Sequence, residues 1–528
     1  MAIPIIDLFA GPGGLGEGFA ALRGKNGEPA FRIGVSVEKD PVAHKTLTLR
    51  AVFRQLKGKP SVRYYYQYIK QEISLDEFKA QPEVAAAFEH ASKEALCIEL
   101  GKADPAALDK AIRAALGTEQ NWVLIGGPPC QAYSVAGRAR RVKDVNFHAD
   151  EKHFLYKEYL RIIREHKPAV FVMENVKGLL SSTHDGDPMF ERILSDLSSP
   201  GGDNEYEIRS FVKRNKVGTE LDPSDYVIEA EKYGIPQRRH RVILFGVRKD
   251  LALVKHDLLT LKPTKTTVRH AISDLPRLRS KLSKGDTLEK WREAVAKGPD
   301  YIKGWGTTGE DAMIEKATDY ASRAARLSSY GNTFFKYTKA RPKAGHLKRW
   351  VIDKNLGGYC QHVARSHMDS DLARYLFASC YAKVNNYSPR LHVFPPQLLP
   401  AHENVKDVNK DTTPFKDRFR VQCASEPSTT VVAHIAKDGH YYIHYDPTQC
   451  RSLTVREAAR LQTFPDNYFF MGTRTEQYTQ IGNAVPPLLA NLLAKVVRKV
   501  IYEASGITSI ERVRTQSSKT RRDLAHHS

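Results

Sequence analysis

Apolar and polar positions divide this chain into stretches of different character. The first opens with an apolar run, Pro4 to Phe9, then a glycine turn, Ala10 to Gly16, a helical stretch, and a second apolar run, Arg32 to Val37, ending at Glu38. Strand, turn, helix and strand in that order make a β-α-β unit. Three more short runs rich in β-branched residues, Trp122 to Ile125, Ala169 to Met173 and Arg241 to Phe245, are flanked by helical patterns. The alternation predicts an α/β domain over residues 1–250, with a mostly parallel sheet and helices on both faces. Between Lys57 and Gln120 a stretch rich in Ala, Glu and Lys, broken at Pro82 and Pro105, predicts two or three inserted helices. It carries Tyr64, Tyr65, Tyr66 and Tyr68, which could stack bases but which ordinary packing explains better.

From 251 to 450 the periodicity weakens and Gly, Pro, His, Tyr and basic residues become frequent, which predicts a second, smaller domain. Residues 451–505 return to helical patterning, with Thr454 as N-cap of the run that starts at Val455, and 506–528 reads as a flexible polar tail. A chain of 528 residues has room for two to four units at about 150 residues each. It contains no long apolar run, and its first residues lack the pattern of a signal peptide, so the expected location is the cytoplasm.

Charge narrows the class of partner. Lysine and arginine number 81 against 60 acidic residues, a net charge of +21, as a protein that neutralises phosphates requires. Six cysteines, at 97, 130, 360, 380, 423 and 450, form no C-x-x-C pair, which argues against a zinc site or a disulfide framework. Cys360, His362 and His367 lack the fourth member of a closed metal set, so no metal is expected.

Two loops carry chemistry. Gly11, Gly13 and Gly16 fit G-x-G-x-x-G after a strand, and Glu38 ends the next strand. A nicotinamide dinucleotide and S-adenosylmethionine both suit such a turn, because glycines admit the ligand to the backbone and the carboxylate accepts from ribose hydroxyls. The second loop, Gly126-Gly127-Pro128-Pro129-Cys130-Gln131, follows a buried strand. Two prolines fix its backbone and two glycines remove side chains beside the thiol, which suits a reactive cysteine better than a packed one.

Taken with these loops, DLFAGPGGLGEGF (7–19), GGPPCQAYSVAGR (126–138), Glu174-Asn175-Val176, Gln237-x-Arg239-x-Arg241, RSLTVREAARLQTFPDNY (451–468) and QIGNAVPP (480–487) resemble, in order, the motifs of the DNA cytosine-5 methyltransferases. The resemblance covers roughly half the chain. It implies a Rossmann-like methyltransferase domain that binds S-adenosyl-L-methionine, with residues 251–450 as the target-recognition domain and the C-terminal segment packed back on the first domain.

The resemblance also assigns roles. Cys130 would add to carbon 6 of cytosine, Glu174 would contact the ring N3 and amino group, and Arg239 and Arg241 would lie near the thiol and O2. Asp7, Phe9, Gly11, Pro12, Gly13, Glu38, Leu100, Pro129, Asn483 and Val485 would surround the methyl donor. Gln131, Ser134, Arg138, Thr429 and Thr430 would meet double-stranded DNA, with the target base flipped out of the stack. A cofactor turn that starts at residue 7 points to a stand-alone prokaryotic or viral enzyme; the further expectations are a monomer, association with the nucleoid and a cognate restriction endonuclease acting on the same site.

Three rivals make different demands. A dehydrogenase shares the glycine turn but leaves Cys130, Glu174 and the arginine pair unexplained. A catalytically silent DNA-binding homologue would not need the intact cysteine loop. A tRNA cytosine-5 methyltransferase on the same fold would be expected to carry a recognition segment much shorter than about 200 residues.

Overall fold

The computed structural model describes residues 2–129, 153–184, 187–214, 220–337, 345–400 and 417–504. Eight strands form the central sheet: β1 (Ile3–Leu8), β2 (Phe31–Glu38), β3 (Ala95–Cys97), β4 (Val123–Gly126), β5 (Val170–Val176), β6 (Tyr206–Arg209), β7 (Val227–Glu229) and β8 (His240–Arg248). Their order is β3-β2-β1-β4-β5-β8-β6, with β7 also paired to β8. The first five strands are parallel, and β8 runs antiparallel to β5, β6 and β7. The sheet is therefore mostly parallel, as expected, but the run Arg241 to Phe245 enters it in the reverse direction.

Every residue of β1 and β4 is buried, because helices cover both faces and leave no side for polar alternation. On one face Ile5, Val123, Val172 and Ile243 pack with Leu15 and Phe19 of α1 (Gly14–Ala20) and with Leu489, Leu493 and Val497. On the other, Ile6, Leu124 and Phe171 meet Ile112 of the helix Pro105–Leu116 and Ile162 of the helix His153–His166. The chain thus returns at its far end, through a helix spanning 487–504, to cover the first β-α unit.

The inserted stretch holds more than expected. Four helices, Val62–Ile69, Leu75–Lys79, Pro82–Glu94 and Pro105–Leu116, and strand β3 lie between 57 and 120. Tyr65 and Tyr66 are core residues there, and the Tyr65 hydroxyl donates to Asn467 O at 2.8 Å. Beyond 250, three helices, Leu288–Ala296, Glu310–Ala324 and Asp369–Asn385, share one core with Ile443 and Cys450. A further core joins Val268, Leu347 and Val431 to Val455, Leu461, Phe464 and Ile481. The C-terminal segment therefore packs against both the sheet domain and the 251–450 segment.

Close approach at α1 depends on glycine. A Cβ at Gly18 would collide with Pro487 O and Ala490 Cβ and stand 2.7 Å from Asn491 N, while Asn491 Nδ2 donates to Gly18 O at 2.8 Å. Overpacking of this kind costs about 1–3 kcal/mol. Gly18→Ala should lower the urea midpoint correspondingly in equilibrium unfolding; an unchanged midpoint would mean that the 487–504 helix does not dock here.

Candidate active site

The site is built where the carboxyl ends of β1, β4 and β5 lie side by side, the place where parallel α/β sheets hold ligands. The chain leaves β1 through three left-handed residues, Phe9 (φ 56°), Gly11 (φ 57°) and Gly13 (φ 91°). Ala10 N donates to Val37 O and Gly13 N to Ala10 O, both at 2.9 Å. The Glu38 carboxylate accepts from Gly11 N at 2.7 Å and from Asp40 N at 2.8 Å, so the acidic end of β2 is fastened to the turn itself.

Asp7 lies beneath this turn, 1% exposed. Neither carboxylate oxygen receives a well-formed hydrogen bond from any described residue, although the Gly16 backbone lies close. Burial raises its carboxyl to about 8, opposed by the charge of Arg54 and helped by a smaller push from Glu38. An orphaned buried acid next to a glycine cradle fits a ligand that brings a positive group, as the sulfonium and ammonium of S-adenosylmethionine would.

Glu174 sits near the end of β5, and its Oε1 is 2.9 Å from Arg241 Nε of β8. A Cβ on Gly127 would stand 2.9 Å from Glu174 Oε2, and Asn175 Nδ2 donates to Pro128 O at 3.3 Å. The Gly-Gly-Pro-Pro collar therefore runs directly over Glu174. Pro129 is the last described residue of that loop; Cys130, Gln131, Ser134 and Arg138 lie outside the described residues. Arg239, just ahead of β8, is 2% exposed and donates to Val431 O and Gly482 O, each at 3.2 Å. Burial and the neighbouring Arg241 push it down to about 9, while Glu174 opposes that shift.

Other expected residues are distributed around this centre. Asn483 is exposed at the end of the helix Arg474–Asn483, and Val485 O faces Gly14 at the start of α1. Leu100 is buried in the core with Leu155, whereas its neighbour Glu99 pairs with Lys39 across the ends of β2 and β3 at 3.1 Å. The Thr430 hydroxyl donates to Arg238 O at 2.5 Å, and Thr429 N donates to Gln422 Oε1 at 2.9 Å, so both threonines hold protein groups. Cys360 and His362 are internal: His362 lies 2.9 Å from both Thr454 Oγ1 and Pro276 O, and burial pushes it down to about 4. Among the described residues one trio, Glu229, Glu231 and His240, is close enough to share a cation, but Lys232 already pairs with Glu229 at 2.6 Å.

Sequence reasoning passed over two parts of the site's frame. Gln237, fully buried, accepts from Val431 N at 2.9 Å and donates to Leu461 O at 3.2 Å, joining the arginine segment to the C-terminal one. Arg50, within the helix Pro41–Leu56, pairs with Glu17 of α1 at 2.5 Å and donates to Asn467 Oδ1 at 3.0 Å. The first was quoted only as part of a motif, and the second is a buried cation that helical periodicity does not reveal.

Fold and site together define a Rossmann-like methyltransferase. The model of the C-5 cytosine-specific DNA methylase family matches residues 109–499, and the chain belongs to that family. Type II methyltransferase M.Bpa9945I of Bacillus paralicheniformis is 33% identical over 94% of this chain and 99% of its own length. Type II methyltransferase M.AgeI of Thalassovita gelatinovora is 29% identical over 74% of this chain and 86% of its own. The crystal structure of a candidate DNA modification methyltransferase encoded within an E. coli prophage superposes with a TM-score of 0.53 at 19% identity, over 95% of this chain and all of that one, a likeness of fold. The chain is thus a DNA (cytosine-5)-methyltransferase of the type II kind, in a family that uses S-adenosylmethionine as donor. No helix among the described residues is long and apolar enough to cross a membrane.

Asp7 makes stability depend on pH in a definite direction. An acid raised on folding favours the folded state below its ordinary value near 4, and that contribution is lost as pH climbs through about 8. In ligand-free protein Asp7→Asn should therefore gain stability relative to wild type between pH 5 and pH 8, measured by urea unfolding. A difference that stays constant across that range would show that Asp7 is ionised throughout.

Proposed function

We propose that this enzyme methylates carbon 5 of one cytosine within a specific double-stranded DNA sequence, by flipping the base and attacking it with Cys130. The observation that supports this most is the Glu174–Arg241 pair lying against Gly127 and Pro128, beside the glycine turn. Two residues separate Gly127 from Cys130, so a thiol, a carboxylate and an arginine would converge on one ring.

The bound donor supplies an electrophilic methyl group; the protein's task is to make carbon 5 nucleophilic. The Cys130 thiolate adds to carbon 6 and an electron pair moves to carbon 5. Glu174 contacts N3 and the amino group as that charge develops, and Arg241 holds O2. Carbon 5 takes the methyl group; loss of its proton then breaks the carbon–sulfur bond and returns the thiolate. Arg239, whose guanidinium is engaged by two backbone carbonyls, fixes the arginine segment against residues 431 and 482.

In the donor pocket Glu38 would accept from the ribose once its hold on Gly11 exchanges, and Asp7 would answer the positive methionine portion. Phe9, Gly11, Pro12, Gly13, Leu100, Pro129, Asn483 and Val485 complete the enclosure. We assign residues 1–250 to catalysis, 251–450 to target recognition and 451–505 to the bridge between them. Gln131, Ser134 and Arg138 would meet DNA beside the target, with Thr429 and Thr430 on the recognition side. Flipping costs a few kcal/mol, which contacts to the unstacked duplex offset. A restriction endonuclease of the same sequence specificity is the expected partner of a monomeric enzyme working at the nucleoid.

Labelled-methyl transfer to plasmid DNA, followed by base-resolution mapping, tests this reading. Wild type should place 5-methylcytosine at one sequence, Cys130→Ala should place none, and Glu174→Gln should lower kcat about 10²–10⁴-fold. Transfer to tRNA but not duplex DNA, or undiminished transfer by Cys130→Ala, would overturn it.

A further inference from the structure

The glycine turn is strained and fastened from a distance. Phe9 is a bulky residue in the left-handed region, a conformation that is costly and persists only where its surroundings hold it. Three of the fastenings are local: Ala10 N, Gly11 N and Gly13 N all bond within residues 10–38. The fourth comes from 456 positions away, where the Tyr468 hydroxyl donates to Pro12 O. Tyr468 Oη also lies 3.1 Å from where a Cβ on Gly13 would stand, so its tip touches two consecutive residues of the turn.

Tyr468 is itself held rigidly. It is 1% exposed, and its ring packs against Phe464 and Phe470 with centroids 4.7 Å and 5.4 Å away. The Arg50 guanidinium lies 4.7 Å from the ring centroid and is oriented by Glu17 and Asn467. From the other side Arg456 donates to Tyr468 O at 2.7 Å and to Cys360 O at 2.8 Å. The hydroxyl is thus presented to Pro12 at a fixed point by groups from four parts of the chain.

We propose that Tyr468 is a positioning residue for the methyl donor: its hydrogen bond to Pro12 O keeps the glycine turn in its donor-binding shape before the donor arrives. The inference rests on the reading that this turn binds S-adenosylmethionine. Removing the hydroxyl leaves a buried carbonyl unpaired and frees the turn to relax, so the loss falls on donor affinity. Among the described residues no hydrogen bond or ring contact ties Tyr468 to the collar at 126–129, so chemistry at saturating donor should be unaffected.

Titration calorimetry of the full chain with S-adenosylmethionine tests this directly. Tyr468→Phe keeps the ring and its packing, and should weaken donor binding about tenfold. Its kcat at saturating donor and its KM for DNA should stay within twofold of wild type. An unchanged donor Kd, even with a lowered Tm, overturns the proposal and leaves the role of the turn standing. Absence of donor binding by wild type overturns the reading of the turn and the proposal with it. Should Tyr468→Phe not fold, amide exchange of the ligand-free wild type decides: slow exchange at Gly13 supports a turn held in advance, and exchange that slows only on adding donor overturns it.

Discussion

The contact between the two ends of the chain is the constraint on which the rest of the structure depends. The helix at 487–504 lies on α1 so closely that Gly14 and Gly18 have no room for side chains, and Val485 and Pro487 fill the space. Residues 431–482 ride on that docking, because Gln237 and Arg239 reach across to Val431, Leu461 and Gly482. The donor turn and the arginine segment are therefore both completed by residues that lie late in the sequence. Closing so long a loop carries an entropic cost that grows only slowly with its length, so distance along the chain is no obstacle once the apolar contact is large.

Charges buried near this contact are arranged by partner rather than by solvent. Arg50 meets Glu17, Arg451 meets Glu457 and Arg460 meets Asp466, with all six side chains nearly inaccessible. Such pairs contribute little net stability against apolar replacements, yet removing one partner leaves an uncompensated charge. The contrast at the centre is instructive. Arg241 has the Glu174 carboxylate, whereas Arg239 has carbonyl dipoles and Asp7 has no well-formed hydrogen bond from any described residue. Unbalanced groups at the strand ends are where a positive donor and a polar base could supply what the protein withholds.

Much of this was legible in the amino-acid sequence. The strand, turn and helix around Gly11 were readable because a period change coincides with glycines that the left-handed turn requires, and Glu38 because it closes the next apolar run. The collar before Cys130 stood out because glycine and proline pack poorly. Other features left no such mark. Strand β3 has three residues, too few to show a period of two beside alanine-rich helices. The direction of β8 cannot be read from alternation, which is the same parallel or antiparallel. Arg456 and Arg460 of the helix Val455–Leu461 are both fully buried, because carbonyls and Asp466 receive them, which helical patterning does not reveal. Gln237 and Tyr468 act through residues about 200 and 450 positions away, which local patterns do not encode.

The central claim is that Cys130 attacks the target ring at the place defined by Glu174 and Arg241. Mass spectrometry of the enzyme trapped on a duplex with 5-fluorocytosine at its methylation position tests it most directly, since fluorine prevents the final proton loss. The account predicts a covalent adduct carried by the proteolytic peptide that contains Cys130, formed only when S-adenosylmethionine is present to methylate the ring. An adduct on any other cysteine, or methyl transfer that proceeds to completion with no adduct formed, would contradict it.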